Sequence, residues 1–112
     1  MSNVNNPGSA LAYEFSFIND RTGIRNINGT VYQNNQGYKQ MFVVVTLDCP
    51  MNADLLIKCD ANANPSQIIA EPRNTNLSGV TVIASFFVPA HYYYKIVTNN
   101  GAPNLLYWIE YV

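Results

Sequence analysis

His91 is the chain's only histidine, the one side chain type whose ordinary pKa suits general-base work near neutral pH. A hydrolytic triad needs a nucleophile beside it, and the flanking stretch "FFVPAHYYYKI" holds no Gly-x-Ser-x-Gly elbow. His91 follows a Pro-Ala pair and reads as an exposed turn residue. Paired carboxylates for glycoside hydrolysis would have to come from Glu14, Asp20, Asp48, Asp54, Asp60, Glu71 and Glu110. Of these, Asp48, Asp54 and Asp60 fall at strand ends or on the solvent phase of alternating strands, where a carboxylate is simply hydrated. Glu110 shares a strand face with Trp108, opposite in phase to Tyr107, Ile109 and Tyr111, which makes the two candidate binding residues. The plainer reading of Glu110 is an edge charge that keeps sheets from associating.

Metal and phosphate chemistry fare no better. Asp48, Asp54, Asp60 and Asn62 offer oxygens to calcium, but without the loop spacing of a calcium hand. Cys49, Cys59 and a distant His91 do not complete a four-ligand zinc site. No Gly-x-Gly-x-x-Gly is present, and no Gly-Lys-Ser or Gly-Lys-Thr cradle for phosphate. The expectation is a protein with no catalytic residue, no cofactor and no metal, and no enzyme.

What remains is aromatic. Phe86, Phe87, Tyr92, Tyr93 and Tyr94 crowd into the eleven positions around His91, in a chain with eight tyrosines and five phenylalanines. On a strand, Tyr92, Tyr94 and Ile96 share one face, and His91, Tyr93, Lys95 and Val97 share the other. The first set is the more apolar and is expected inward. His91, Tyr93 and Lys95 are expected outward, alongside Trp108 and Glu110 of the last strand, and these five form the candidate binding set. Aromatic rings with a polar tip are enriched in interfaces and stack on sugars. For any single tyrosine, the alternative is a cap on a small core with its hydroxyl in water.

The elements that would hold these residues are strands almost throughout, since no window of a dozen residues shows a helical stripe. Eight are expected: Leu11 to Ile18, Thr30 to Gln33, Gln40 to Cys49, Asp54 to Asp60, Gln67 to Glu71, Val80 to Val88, His91 to Thr98 and Leu105 to Val112. "QMFVVVTLDC" is β-branched on both faces and therefore expected to be central in its sheet. Gly37 is the expected left-handed residue of the turn "NNQGYK". Strand 41–49 is expected to form a hairpin with 53–60, and 91–98 to pair back on 80–88 across Pro89 and Ala90. The hairpin would place Cys49 and Cys59 far apart, leaving both as buried free thiols. With 112 residues and 48% hydrophobic content, one domain can bury its own core. Many short strands punctuated by Gly, Pro and Asn predict an all-β fold, an antiparallel β-sandwich of jelly-roll or Greek-key type. Residues 1–10 are expected to be a flexible arm, and 11–112 the sandwich.

Charge limits the partners. Only 12% of residues are charged and the net charge is −1, against about a quarter charged in an average domain. Such a surface has no long-range field to gather phosphate backbones, so no nucleic acid is expected. "MFVVVTL" is too short to span a bilayer, and "MSNVNNPGSALAYEFSF" lacks a basic start and sustained apolar run. The expectation is synthesis in a cytoplasm without a signal peptide, and no membrane insertion.

Two segments carry a family resemblance. "NGTVYQNNQGYKQMFVVVTL" and "SFFVPAHYYYKIV", followed by "LLYWIEYV", resemble a small β-sandwich domain of tailed bacteriophages and prophages, found at the ends of tail-fibre and related virion proteins. There a Gly-Thr-x-Tyr-x-Asn stretch leads into an apolar strand, and a Val-Pro-Pro-Gly-type turn leads into a Tyr-rich strand. Gly29, Thr30, Tyr32 and Asn34 stand at the first motif here, and Val88, Pro89, Tyr92, Tyr93, Tyr94 and Lys95 at the second. Ala90 and His91 replace the usual Pro and Gly. The resemblance covers 28–112 and implies a virion-associated homo-oligomer, most simply a trimer. It implies a role in attachment, capping or decoration, meeting other virion proteins or a host-surface glycan, and no catalytic residue. The alternative class is a phage-encoded protein that binds or sequesters a small molecule in an aromatic pocket.

Overall fold

The structure, a computed structural model, describes residues 15–112. The arm expected at 1–10, the Leu11–Glu14 part of the first expected strand and the carboxylate of Glu14 lie outside the described residues. Among the described residues there are eight strands: β1 (Ile18–Asp20), β2 (Tyr32–Gln33), β3 (Met41–Cys49), β4 (Asp54–Asp60), β5 (Ile68–Ala70), β6 (Val80–Val88), β7 (Tyr93–Asn100) and β8 (Asn104–Tyr111). They form two antiparallel sheets of four, ordered β1-β8-β3-β6 and β2-β7-β4-β5.

The pairing has a simple rule. β1 pairs with β8, β2 with β7, β3 with β6 and β4 with β5, so the chain is one nested antiparallel ribbon with its tip at the β4–β5 turn. Rolling that ribbon on itself adds the β3–β8 and β4–β7 ladders and produces the two-sheet jelly roll.

Alternation builds the core. In β3, Met41, Val43, Val45, Leu47 and Cys49 are buried while Phe42, Val44 and Thr46 are only partly covered. Leu55, Ile57 and Cys59 of β4, with Tyr94 and Ile96 of β7, close on them from the opposite sheet. β3 lies between β8 and β6, the central place its β-branched run predicts. The bounds of β4 and β6 coincide with the expected ranges, and Gly37 has φ 64°. Tyr92 differs: it precedes β7 and is exposed.

Two expected hairpins are not hairpins. β3 and β4 lie in opposite sheets, as do β6 and β7. Each connection starts at a proline, which cannot extend the ladder, and has a left-handed third residue. Ala53 N donates to Pro50 O at 3.0 Å around Asn52 (φ 62°), and Tyr92 N donates to Pro89 O at 3.1 Å around His91 (φ 67°). A positive φ at the third position is what a type II turn demands, and here it steers the chain across to the other sheet. Cys49 and Cys59 are buried free thiols, now because they sit in different sheets and not at opposite ends of one hairpin.

Candidate functional site

Trp108 and Glu110, both expected at the surface, point into the sandwich. β8 lies between β1 and β3, and its Trp108 and Glu110 stand opposite Val45 and Val43, on the inward phase. Trp108 is fully buried and Glu110 is 2% exposed. Neither can contact an external ligand, and Glu110 is not an edge charge. A carboxylate in such a place must be compensated. Its Oε2 accepts from Tyr94 Oη at 2.7 Å, Trp108 Nε1 at 3.0 Å and Arg25 Nε at 3.0 Å; its Oε1 accepts from Arg25 Nη2 at 3.3 Å. Arg21 Nε stands 3.5 Å from Oε1, and the Arg25 guanidinium lies 4.4 Å from the centroid of the Tyr32 ring. Burial, then the Glu110 charge, pushes the Tyr94 hydroxyl well above its ordinary pKa, so it stays a donor. The cluster is a structural tie in which Glu110 is fully engaged, while the buried Arg21 Nε pairs with it by charge and makes no hydrogen bond.

His91, Tyr93 and Lys95 are brought together on the other side. Tyr94 and Ile96 are fully buried, so Tyr93 and Lys95, on the alternate phase of β7, face out from the second sheet. Tyr93 stands opposite Gln33 of β2 and Asp60 of β4, and Lys95 opposite Lys58. Lys95 Nζ donates to Asn64 Oδ1 at 2.9 Å, which holds its stem along the sheet. His91 is exposed at the β6–β7 turn, its ring edge-on to Tyr38 with centroids 6.1 Å apart. Tyr38, on the β2–β3 loop, is 96% exposed. Gln33 Nε2 donates to His91 O at 3.0 Å, tying the turn to β2. The result is a polar surface with two tyrosines and a histidine, flanked by Lys58, Lys95 and Gln33. It can stack a planar or sugar ring and donate hydrogen bonds beside it.

Sequence reasoning missed Tyr38 and Asn34. Asn34 is buried, and its Nδ2 donates to the carbonyls of Lys39, Val88 and Pro89 while its Oδ1 accepts from Gln36 N. It therefore holds the Tyr38 loop and the His91 turn in one piece. Tyr32, two residues earlier in the same stretch, accepts from Asn26 N at 2.9 Å through its hydroxyl. The Gly-Thr-x-Tyr-x-Asn stretch thus works as scaffolding here. The available signal was an asparagine closing that motif beside an Asn- and Gly-rich turn.

At the opposite end of the sandwich a cleft of about 220 Å³ lies between the β3–β4 turn, the β5–β6 loop and the end of β7. Asn52, Asp54, Glu71, Arg73, Asn99 and Asn100 line it, with no aromatic ring. Asp54, expected to be hydrated, is buried instead. It accepts from Asn99 Nδ2 at 3.0 Å and Asn100 Nδ2 at 2.6 Å, and the Asn99 bond leads the groups that hold its carboxyl below the usual range. Those bonds tie the start of β4 to the end of β7.

Comparison of the chain with family models, with curated proteins and with solved structures finds no match.

Proposed function

We propose that this chain is a bacteriophage virion structural protein, of tail-fibre, receptor-binding or capsid-decoration type. It assembles with copies of itself, as a trimer, and meets another virion protein or a host-surface glycan through the face bearing His91, Tyr93 and Lys95. The observation that carries this reading is that face: Tyr93, Lys95, His91 and Tyr38 displayed together on a rigid sheet and its anchored turns. The fold adds an analogy, since eight-stranded jelly rolls serve in viral capsids and lectins. Assembly is supported by β6, a nine-residue edge strand, Val80–Val88, with no charge and no proline. An edge of that kind is a template for pairing with another chain. The sequestering reading fits less well. Tyr32, Tyr94 and Trp108 pack on one another at centroid distances of 5.7 to 6.5 Å, and the cleft has no aromatic wall.

Mass spectrometry of purified particles tests the proposal. Stoichiometric copies in the virion are expected, and a protein confined to the infected-cell lysate overturns it. Size-exclusion with light scattering tests the assembly half separately, where a monomer at micromolar concentration is the adverse result.

A further inference from the structure

The cleft beside the β3–β4 turn is walled by polar groups on backbone that the fold holds still. Asn52 N donates to Asn74 O at 3.1 Å, Asn74 N to Ala53 O at 3.0 Å and Leu55 N to Pro72 O at 3.0 Å, so this turn and the segment after β5 run as one paired strip. Asn74, 2% exposed, donates its Nδ2 to the carbonyls of Cys49 and Ser78. The β7–β8 turn packs against the same strip: Gly101 has φ 74°, and a Cβ there would stand 2.9 Å from Ala53 Cβ, an approach that needs glycine. A site on such fixed supports loses little entropy when it binds.

Asp54 sets the direction of the amides. A carboxylate only accepts, so Asn99 and Asn100, which give it their Nδ2 groups at 3.0 and 2.6 Å, turn their Oδ1 carbonyls away from it. Acceptors at Asn99, Asn100 and Glu71 therefore share the cleft with donors at Arg73, Asn52 and Thr75.

Charge and size choose the ligand. Asp54 and Glu71 outnumber the one guanidinium in the cleft, Arg73, so an anion meets net repulsion. Arg73 is ion-paired to Glu71, which makes it a poor neighbour for a metal ion. The lining holds no aromatic and no aliphatic side chain, so an apolar molecule gains little by entering. What fits is a neutral molecule whose groups both donate and accept, as sugar hydroxyls do. At about 220 Å³ the cleft is smaller than the ~300–1,000 Å³ of sites for drug-sized ligands, leaving room for one ring. We propose that this cleft binds one neutral saccharide ring, with Asn99 and Asn100 accepting from its hydroxyls and Arg73 and Asn52 donating to them. The His91 surface lies at the other end of the sandwich, so this site does not rest on the proposed function.

The test uses the full chain, labelled with nitrogen-15 and titrated with the methyl glycosides of glucose, galactose, mannose, rhamnose and N-acetylglucosamine. At least one should shift the side-chain amides of Asn52, Asn99 and Asn100 saturably at millimolar concentration. Asn52→Gly keeps the left-handed turn and should weaken that binding several-fold, with unchanged Trp108 fluorescence reporting an intact fold. A disaccharide ending in the same ring binds as well if the ligand is a glycan end, and fails to bind if it is a free sugar; either result upholds the cleft. Shifts from none of the five, shifts confined to the face of His91 and Lys95, or a cleft that responds only to calcium chloride or inorganic phosphate would each overturn the proposal. Equal affinity in Asn52→Gly overturns it as well.

Discussion

Tyr94 of one sheet donates its hydroxyl to Glu110 of the other at 2.7 Å, making a charged hydrogen bond through the middle of the sandwich. Truncating the acceptor strands Arg25, Tyr94 and Trp108 at once. Glu110→Ala should therefore cost about 3–5 kcal/mol, and Tyr94→Phe about 1.5–3 kcal/mol. Urea unfolding followed by Trp108 fluorescence gives both numbers. A loss under 1 kcal/mol for Glu110→Ala would show that the tie does not hold the sheets.

Acid should loosen two loops before it unfolds the core. Asp60 accepts the backbone N–H groups of Ser66, Asn62 and Gln67, and these hold its carboxyl below the usual range, Ser66 first. Asp54 is lowered likewise, chiefly by Asn99. A depressed folded pKa contributes stability that is present above the unfolded value, about 3.9, and is lost as pH falls through the folded one. Stability against urea should thus decline from just above pH 4 downward. Asp60→Asn should be less stable than the wild type at pH 6 and show a shallower decline, and parallel curves would refute the assignment.

His91 occupies a left-handed position where Gly is the natural residue. Relief of ~1–2 kcal/mol of steric cost, less the ~0.5–1 kcal/mol entropic penalty of glycine, leaves His91→Gly more stable by about 0.5–1 kcal/mol. The midpoint of thermal unfolding should rise by a few degrees, while His91→Val should lower it. The glycine variant also removes the ring that meets Tyr38, so a gain in stability with weaker target binding would separate the two roles of this residue.

Tyr93→Ala and Lys95→Ala should leave the fold nearly untouched, within about 0.5 kcal/mol as for outward-facing positions. Co-sedimentation with purified virions and with the host envelope fraction should fall for both. Undiminished co-sedimentation of the double variant would remove this face from the proposed function.

The two thiols should be silent in the native state. Burial pushes Cys59 up to about 11, leaving on the order of one thiolate in a thousand at pH 8, and burial raises Cys49 as well. Ellman's reagent should label both only on unfolding, and rapid labelling of the folded protein would contradict the burial.

Much of the architecture was legible because alternation is a local signal. Val43, Val45 and Leu47, then Leu55 and Ile57, then Tyr94 and Ile96 declare their inward faces in the sequence, and so the outward placement of Tyr93 and Lys95 follows. Strand partners were not legible: the turns at Pro50 and Pro89 are short enough for hairpins, and only the closed sandwich shows that they change sheets. β8 misleads for a different reason. Its more apolar face, Tyr107, Ile109 and Tyr111, turns outward, while Glu110 is admitted inside by Arg25, 85 residues away in sequence. No local pattern contains that pairing.

The nested pairing also sets an order of assembly. Its innermost pair, β4 and β5, closes a seven-residue turn, whereas β1 must find β8 across almost the whole chain. Loop-closure entropy favours zipping outward from the β4–β5 tip, and a fold so rich in distant contacts belongs to the millisecond-to-second class of folders. On the ribosome β8 emerges after every other strand, so until it arrives β3 lacks a neighbour and Tyr94 lacks its acceptor. The nascent chain must wait, with its central strand half-paired, for β8 to lock the two sheets.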